Sequence, residues 1–194
     1  MSEKFEVSDI DFKKLEAFVL RESDKGRISH SLRTGVNLYR LYPELGMKNA
    51  MFIGLSHDMV HNWSDEKLRE FITKNKIELY KGEWEIGRVL HSPVGAFVLK
   101  ELCSNLPDDW YFSIRHHTIP AKGMSSLGRK LFVADIIDPG RQFVSHSYFT
   151  SVIENYDDIK TFIKVVLEQR KFLQSIGLDW LPVTASYIEE LQKG

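Results

Sequence analysis

Residues 51–59 read Met51-Phe52-Ile53-Gly54-Leu55-Ser56-His57-Asp58-Met59. Met51, Phe52, Leu55 and Met59 recur at the three- and four-residue spacing of a helix with one buried face. Into this apolar helix the chain sets a polar pair, His57-Asp58. Adjacent helical residues point about 100° apart, so the two do not share a face. They reach a common point only if other helices bring partners in from the sides. An imidazole nitrogen with a carboxylate, whose two oxygens can bridge two cations, suits Fe, Mn, Zn or Ni better than Ca or Mg. Alone, the pair reads better as a surface ion pair or a capping aspartate than as a metal site.

Helical spacing continues on both sides of this stretch. Phe12, Leu15, Phe18 and Val19 make a stripe before it, and Leu32, Val36, Leu38, Tyr39 and Tyr42 a second, ended by Pro43 and Gly46. After it, Ser64 is a cap for a helix through Leu68 and Phe71. Ser92-Pro93 reads as a cap followed by proline at the first helical position. Asp108 or Asp109 caps a helix carrying Trp110, Ile114 and His117. Ser125 or Ser126 starts one with Leu127, Leu131 and Ala134 on one face, ended by Pro139-Gly140. A longer pattern runs from about Val152 to Ile176, and a short helix lies near Ala185–Leu191. Tyr80 to Glu83 is a loop, and there is no alternating strand pattern, repeat or low-complexity stretch. The expected fold class is all-α, a helical bundle.

The chain has 194 residues, 43% hydrophobic and 27% charged, with a formal net charge of -1. Those values suit a globular domain of one core, with at most a small appendage. They provide no global basic field, so nucleic acid is not an expected partner. The single cysteine, Cys103, cannot form an intrachain disulfide, which points to a reducing compartment. Met1 to Glu6 carries no apolar leader and no stretch approaches a membrane span, so the expected location is cytoplasmic.

The remaining histidines are distributed tellingly. Arg27-Ile28-Ser29-His30 opens the second helix, His91-Ser92-Pro93-Val94-Gly95-Ala96 opens another, and Arg115-His116-His117-Thr118 closes the next. Phe132-Val133-Ala134-Asp135 puts a carboxylate inside an apolar helix, where it is costly unless paired. A lone histidine on an apolar face is usually a hydrogen-bonded structural residue, but a series joined by aspartates shifts the balance toward a metal site.

The order His, His-Asp, His, His, Asp resembles the HD-domain superfamily of metal-dependent phosphohydrolases. The flanking words, from Arg27-x-x-His30-Ser31 through Gly123-Met124-Ser125 to Asp135-Ile136-Ile137-Asp138-Pro139-Gly140-Arg141, are similar to the bacterial YqeK-like symmetrical bis(5'-nucleosyl)-tetraphosphatases. The resemblance covers roughly Arg21 to Arg141. It implies an HD-domain bundle over residues 8–141 and a C-terminal helical extension over 142–194 packed on it. It implies that His30, His57, Asp58 and Asp135 bind one metal and that Asp58, His91 and His117 hold a second. Iron is the first choice, manganese or zinc next. His117 is chosen because the family histidine immediately precedes the threonine, and His116 takes a position often occupied by tyrosine.

The same resemblance implies cleavage of diadenosine tetraphosphate to two ADP through a metal-bridged hydroxide. Asp58, Arg27 and His61 are the expected catalytic residues, and Arg27, His61, Lys122 and Arg141 the expected phosphate contacts. Three departures stand out. His61 replaces a lysine common three residues after the motif aspartate, and does similar work only when protonated or as a donor. Ile119-Pro120-Ala121-Lys122 replaces Thr-Gly-Arg-Pro, and Ser92 replaces a glycine. These leave open a broader nucleotide phosphohydrolase and a non-catalytic nucleotide sensor or interaction protein. Monomer and homodimer are both open.

Overall fold

The computed structural model describes residues 5–141 and 145–193. Residues 1–4, in the segment read as carrying no apolar leader, and 142–144, at the junction between the two expected parts, lie outside the described residues. The regular elements among those described are helical, with no strand, as the all-α expectation requires. In chain order they are α1 (Asp9–Glu22), α2 (Lys25–Leu41), α3 (Met47–His57), α4 (Asp65–Asn75), α5 (His91–Leu102), α6 (Asp108–His116), α7 (Ser126–Ile136), α8 (His146–Glu154), α9 (Asp158–Ser175) and α10 (Pro182–Lys193). No helix among the described residues is long and apolar enough to cross a membrane.

Side-chain caps set several of these starts. Ser8, Asp24, Ser64 and Ser125 accept the amides of Asp11, Arg27, Lys67 and Gly128 at 3.0, 2.9, 3.2 and 3.1 Å. Each such cap satisfies a main-chain donor that the helix leaves unpaired and is worth about 1 kcal/mol. Two expected caps are corrected. α5 begins at His91, and the Ser92 hydroxyl, already inside it, bonds the Val89 carbonyl at 2.9 Å. α6 follows Pro107, so Asp108 is its first helical residue rather than its cap. The long C-terminal pattern is also two helices. Asp157 leaves the helical path and accepts the Lys160 amide at 2.9 Å, separating α8 from α9.

The packing that positions the later site centres on α2 against α3, the most extensive helix pair. Gly35 and Gly54 meet there: a Cβ on Gly54 would lie 2.5 Å from the Gly35 Cα. Side chains of any size would hold these backbones apart. α7 lies against α2, α6 and α9, and α5 against α6, while α10 contacts α9. Phe52, Leu38, Ile114, Leu131, Phe132 and Phe162 are among the fully buried side chains between them. Burial at that level contributes about 1.5–3 kcal/mol per large side chain. Cys103 is buried in this core, and burial pushes its thiol up to about 11.

Candidate metal centre

Five helices or helix ends deliver polar side chains to one buried point. His30 comes from the second turn of α2, His57 from the last residue of α3, and Asp58 from the position capping it. His91 is the first residue of α5, His117 caps α6, and Asp135 lies near the end of α7. All six are buried. The structure therefore brings together every side chain singled out as a ligand.

Asp58 stands at the middle, with its two oxygens turned to different partners. Its Oδ2 faces His57 Nε2 at 3.3 Å and His30 Nε2 at 3.6 Å. Its Oδ1 faces His91 Nε2 at 3.0 Å and His117 Nε2 at 3.4 Å. Asp135 Oδ1 completes the first group, 2.9 Å from His30 Nε2 and 3.8 Å from His57 Nε2. Within each half the histidine Nε2 atoms are 3.3 Å apart (His30, His57) and 3.0 Å apart (His91, His117). Two ligands bonded at about 2.1 Å to one ion are separated by roughly 3.0–3.4 Å, depending on geometry. The trios His30, His57, Asp58 and Asp58, His91, His117 each have ligand atoms within 4.8 Å of one another, so each can hold a metal ion. The donor set, imidazoles with carboxylates, fits a transition metal.

The outer nitrogens are committed elsewhere. His57 Nδ1 lies 2.7 Å from the Gly54 carbonyl, His117 Nδ1 2.7 Å from that of Ile114, and His91 Nδ1 2.8 Å from that of Arg88. Carbonyls in a last helical turn lack an amide partner within the helix, so α3 and α6 offer theirs to the imidazole three residues on. A carbonyl can only accept, so Nδ1 carries the proton and Nε2 is left as the inward lone pair. His30, inside α2, has no such carbonyl and uses the Asp138 carboxylate, Nδ1 to Oδ2 at 2.6 Å. Asp138 and Arg33, which in turn binds it, were missed in the sequence. The signal was available: Asp135 and Asp138 are three apart, the spacing that puts two side chains on one side of a helical turn.

Burial by itself would raise the Asp58 carboxyl, but His57, His117 and His91 hold it well below the ordinary carboxylate range. Asp135 is also held low against its burial, by Arg141, His30 and His57. For His30, burial opposes the charge, yet the bonds to Asp135 and Asp138 raise it to about 9. The carboxylates are thus ionised and ready to act as anionic ligands.

Of the expected phosphate contacts, three border the centre. Arg27 Nη1 is 2.5 Å from Asp58 Oδ2, and its Nη2 is 3.1 Å from His61 Nε2. Arg141 bonds both the Asp135 carboxylate and, at 3.0 Å, its carbonyl. Arg27, Arg33 and Arg141 share a polar cleft of about 370 Å³ that His30 also borders. A second cleft, about 480 Å³, is lined by His61, His91, Trp63 and Arg88. His61 differs from a cationic stand-in for lysine. Its burial pushes its pKa down to about 4, so the ring is neutral and Nε2 accepts from Arg27. Any donor role falls to its Nδ1. Lys122 is exposed and pairs with Glu190 at 3.0 Å, on α10. His116 stands outside the cluster, its Nε2 2.7 Å from the Tyr80 hydroxyl and its Nδ1 2.8 Å from the Phe112 carbonyl.

Residues 27–140 match the model of the HD domain, and all six side chains of the centre fall inside that span. The chain belongs to the HD domain family. The HD fold is also that of a predicted HD superfamily hydrolase involved in NAD metabolism from Clostridium acetobutylicum, with a TM-score of 0.83 over 94% of this chain and 97% of that one, at 23% identity. A symmetrical bis(5'-nucleosyl)-tetraphosphatase from Halalkalibacterium halodurans is 30% identical over 116 residues, 58% of this HD protein and 59% of the relative. Its Bacillus subtilis counterpart is 28% identical over 96 residues, 50% and 51% of the two chains. A probable nicotinate-nucleotide adenylyltransferase/Ap4A hydrolase from Mycoplasma genitalium is 31% identical over 121 residues, 61% of this chain but 34% of that one. This HD chain thus spans from about a third to three fifths of these curated relatives.

Proposed function

We propose that this HD protein is a metal-dependent phosphohydrolase that cleaves diadenosine tetraphosphate symmetrically to two ADP. The observation that carries the reading is the division of Asp58: one oxygen serves His30 and His57, the other His91 and His117. A single carboxylate shared in this way is suited to bridging two cations. His30, His57, Asp58 and Asp135 would hold one ion and Asp58, His91 and His117 the other, with iron the first expectation and manganese or zinc next. Bound divalent metals supply an activated water near neutral pH and neutralise charge on a phosphoryl group.

The chain's own side chains supply the rest. Arg27 is a quarter exposed, so its guanidinium reaches from Asp58 into the polar cleft. Arg141, at the same cleft, adds a second cation for phosphoryl oxygens. His61, accepting from Arg27, orients that guanidinium. Trp63, in the neighbouring cleft, offers an aromatic face for a nucleobase. The substrate is taken from the names of the relatives together with this cationic, metal-suited site. Cytoplasmic location accords with a nucleotide substrate.

The test is a product analysis on protein purified without chelator. With diadenosine tetraphosphate the sole nucleotide product is expected to be ADP, and in labelled water one of each two ADP molecules carries solvent oxygen. AMP plus ATP would reject the symmetrical specificity. A broader nucleotide phosphohydrolase is the second reading, favoured by the engagement of Lys122 with Glu190 rather than the centre. Faster turnover of nucleoside tri- or diphosphates than of the dinucleotide would establish it. Failure to hydrolyse any of them, with tight nucleotide binding, would point to a sensor.

A further inference from the structure

Three of the four histidines at the centre are aimed by main-chain carbonyls, which the fold itself holds in place. His30 is the exception. Its Nδ1 bonds a side chain 108 residues away, Asp138 Oδ2 at 2.6 Å. Asp138 is 1% exposed and lies in the turn that follows α7. Its carboxylate is gripped by Arg33, with Nε to Oδ1 at 2.6 Å and Nη2 to Oδ2 at 2.9 Å. The Gly140 amide donates to Oδ1 at 3.0 Å. A Cβ on Gly140 would lie 2.3 Å from Arg33 Nη2, so the absence of a side chain there seats the guanidinium. His30 and Arg33 are three residues apart on α2 and share a face, which lets one carboxylate meet both.

We propose that Arg33 and Asp138 are positioning residues for one half of the metal centre. They lock His30 with its Nε2 toward Asp58 and Asp135. They thereby set metal affinity at the position of His30, His57 and Asp135 independently of the position of His91 and His117. The inference rests on the metal-centre reading above. Partners that orient a ligating histidine typically change metal affinity by about 10–100-fold when removed.

The test titrates Co(II) into chelator-stripped full chain, in competition with a chromophoric chelator. The wild type is expected to take up two equivalents. In Arg33→Met one equivalent keeps its affinity and the other weakens by about 10–100-fold. Arg33→Lys restores part of the loss, because an ammonium donates to Asp138 but cannot grip both oxygens. His91→Ala weakens the complementary equivalent, and its combination with Arg33→Met weakens both. Asp138→Asn is expected to match Arg33→Met in direction; if it fails to fold, the two Arg33 variants still decide. The melting temperature of the stripped variants, read beside the two affinities, separates aiming from folding: a folding defect alone weakens both equivalents, whereas loss of aim weakens one. Arg33→Met that binds both equivalents like wild type, or weakens both equally, overturns the inference while leaving the metal centre standing. A wild type that takes up no Co(II) overturns both.

Discussion

Replacing Gly54 by alanine tests the packing and the site at once. In an unstrained helix this change stabilises by about 1 kcal/mol, because glycine is the poorer helix former. Here the new Cβ would lie 2.5 Å from both Cα and N of Gly35 and 2.8 Å from the Ser31 carbonyl oxygen. These are main-chain atoms, so no side-chain rotation relieves them. Ordinary contact is about 3.5–4.0 Å, and α2 and α3 must separate by roughly 1 Å. Overpacking of this kind costs about 1–3 kcal/mol, toward the upper end where backbone must move. Net of the propensity gain, a loss of about 2 kcal/mol is expected, or a Tm lower by about 4–8 °C for a chain of this size. The separation also falls between His30 and His57, whose Nε2 atoms face each other at 3.3 Å. Metal retention should therefore drop along with stability. The assay is thermal unfolding with and without chelator, beside metal analysis. An alanine variant that melts at or above the wild type and keeps its metal would refute the close-approach argument.

Asp58→Ala should abolish hydrolysis and lower metal content at both positions, since it removes the shared carboxylate; metal analysis that finds a full complement would count against the bridge. His116→Tyr should keep metal and much of the activity, whereas His117→Ala should lose metal, and the reverse pattern would mean that the wrong histidine of the pair stands in the centre. Glu83 is fully buried and its carboxylate takes both Arg115 Nη1 and Nη2, at 2.8 and 2.6 Å. Glu83→Ala strands that guanidinium and should cost about 3–5 kcal/mol in chemical denaturation, while Arg115→Met in the same background should recover part of it. Burial disfavours the Cys103 thiolate and pushes the thiol up to about 11. At pH 8 only about one molecule in a thousand is then thiolate, by the ordinary titration law. Alkylation should be slow in the folded protein and speed up as pH rises toward 11 or on unfolding; rapid labelling of native protein at pH 8 would show that the thiol is accessible.

The helical class was legible because periodicity is a local property. Each helix must bury an apolar stripe whatever its neighbours are, and Ser64 and Ser125 cap where local chemistry says they should. The identities of the converging side chains were legible chiefly through the resemblance of the order His, His-Asp, His, His, Asp and its flanking words to the HD superfamily. Residue chemistry alone pointed most directly to Asp135, a carboxylate inside the apolar helix α7, where a charge is costly unless paired. What each residue does there was decided by tertiary structure. No local pattern says that the two oxygens of Asp58 face different histidine pairs, because that depends on how α2, α5 and α6 approach the end of α3. His61 could be read as a cation until burial and Arg27 showed it neutral. That the exposed Lys122 pairs with Glu190 of α10 was likewise not legible in the sequence. The aim of His30 depends on Asp138, 108 residues away, and on an arginine one turn along α2. Periodicity determines the helices and the order of the motif residues points to their family, whereas orientation, ionisation and the outer partners follow from the three-dimensional approach of segments far apart in the chain.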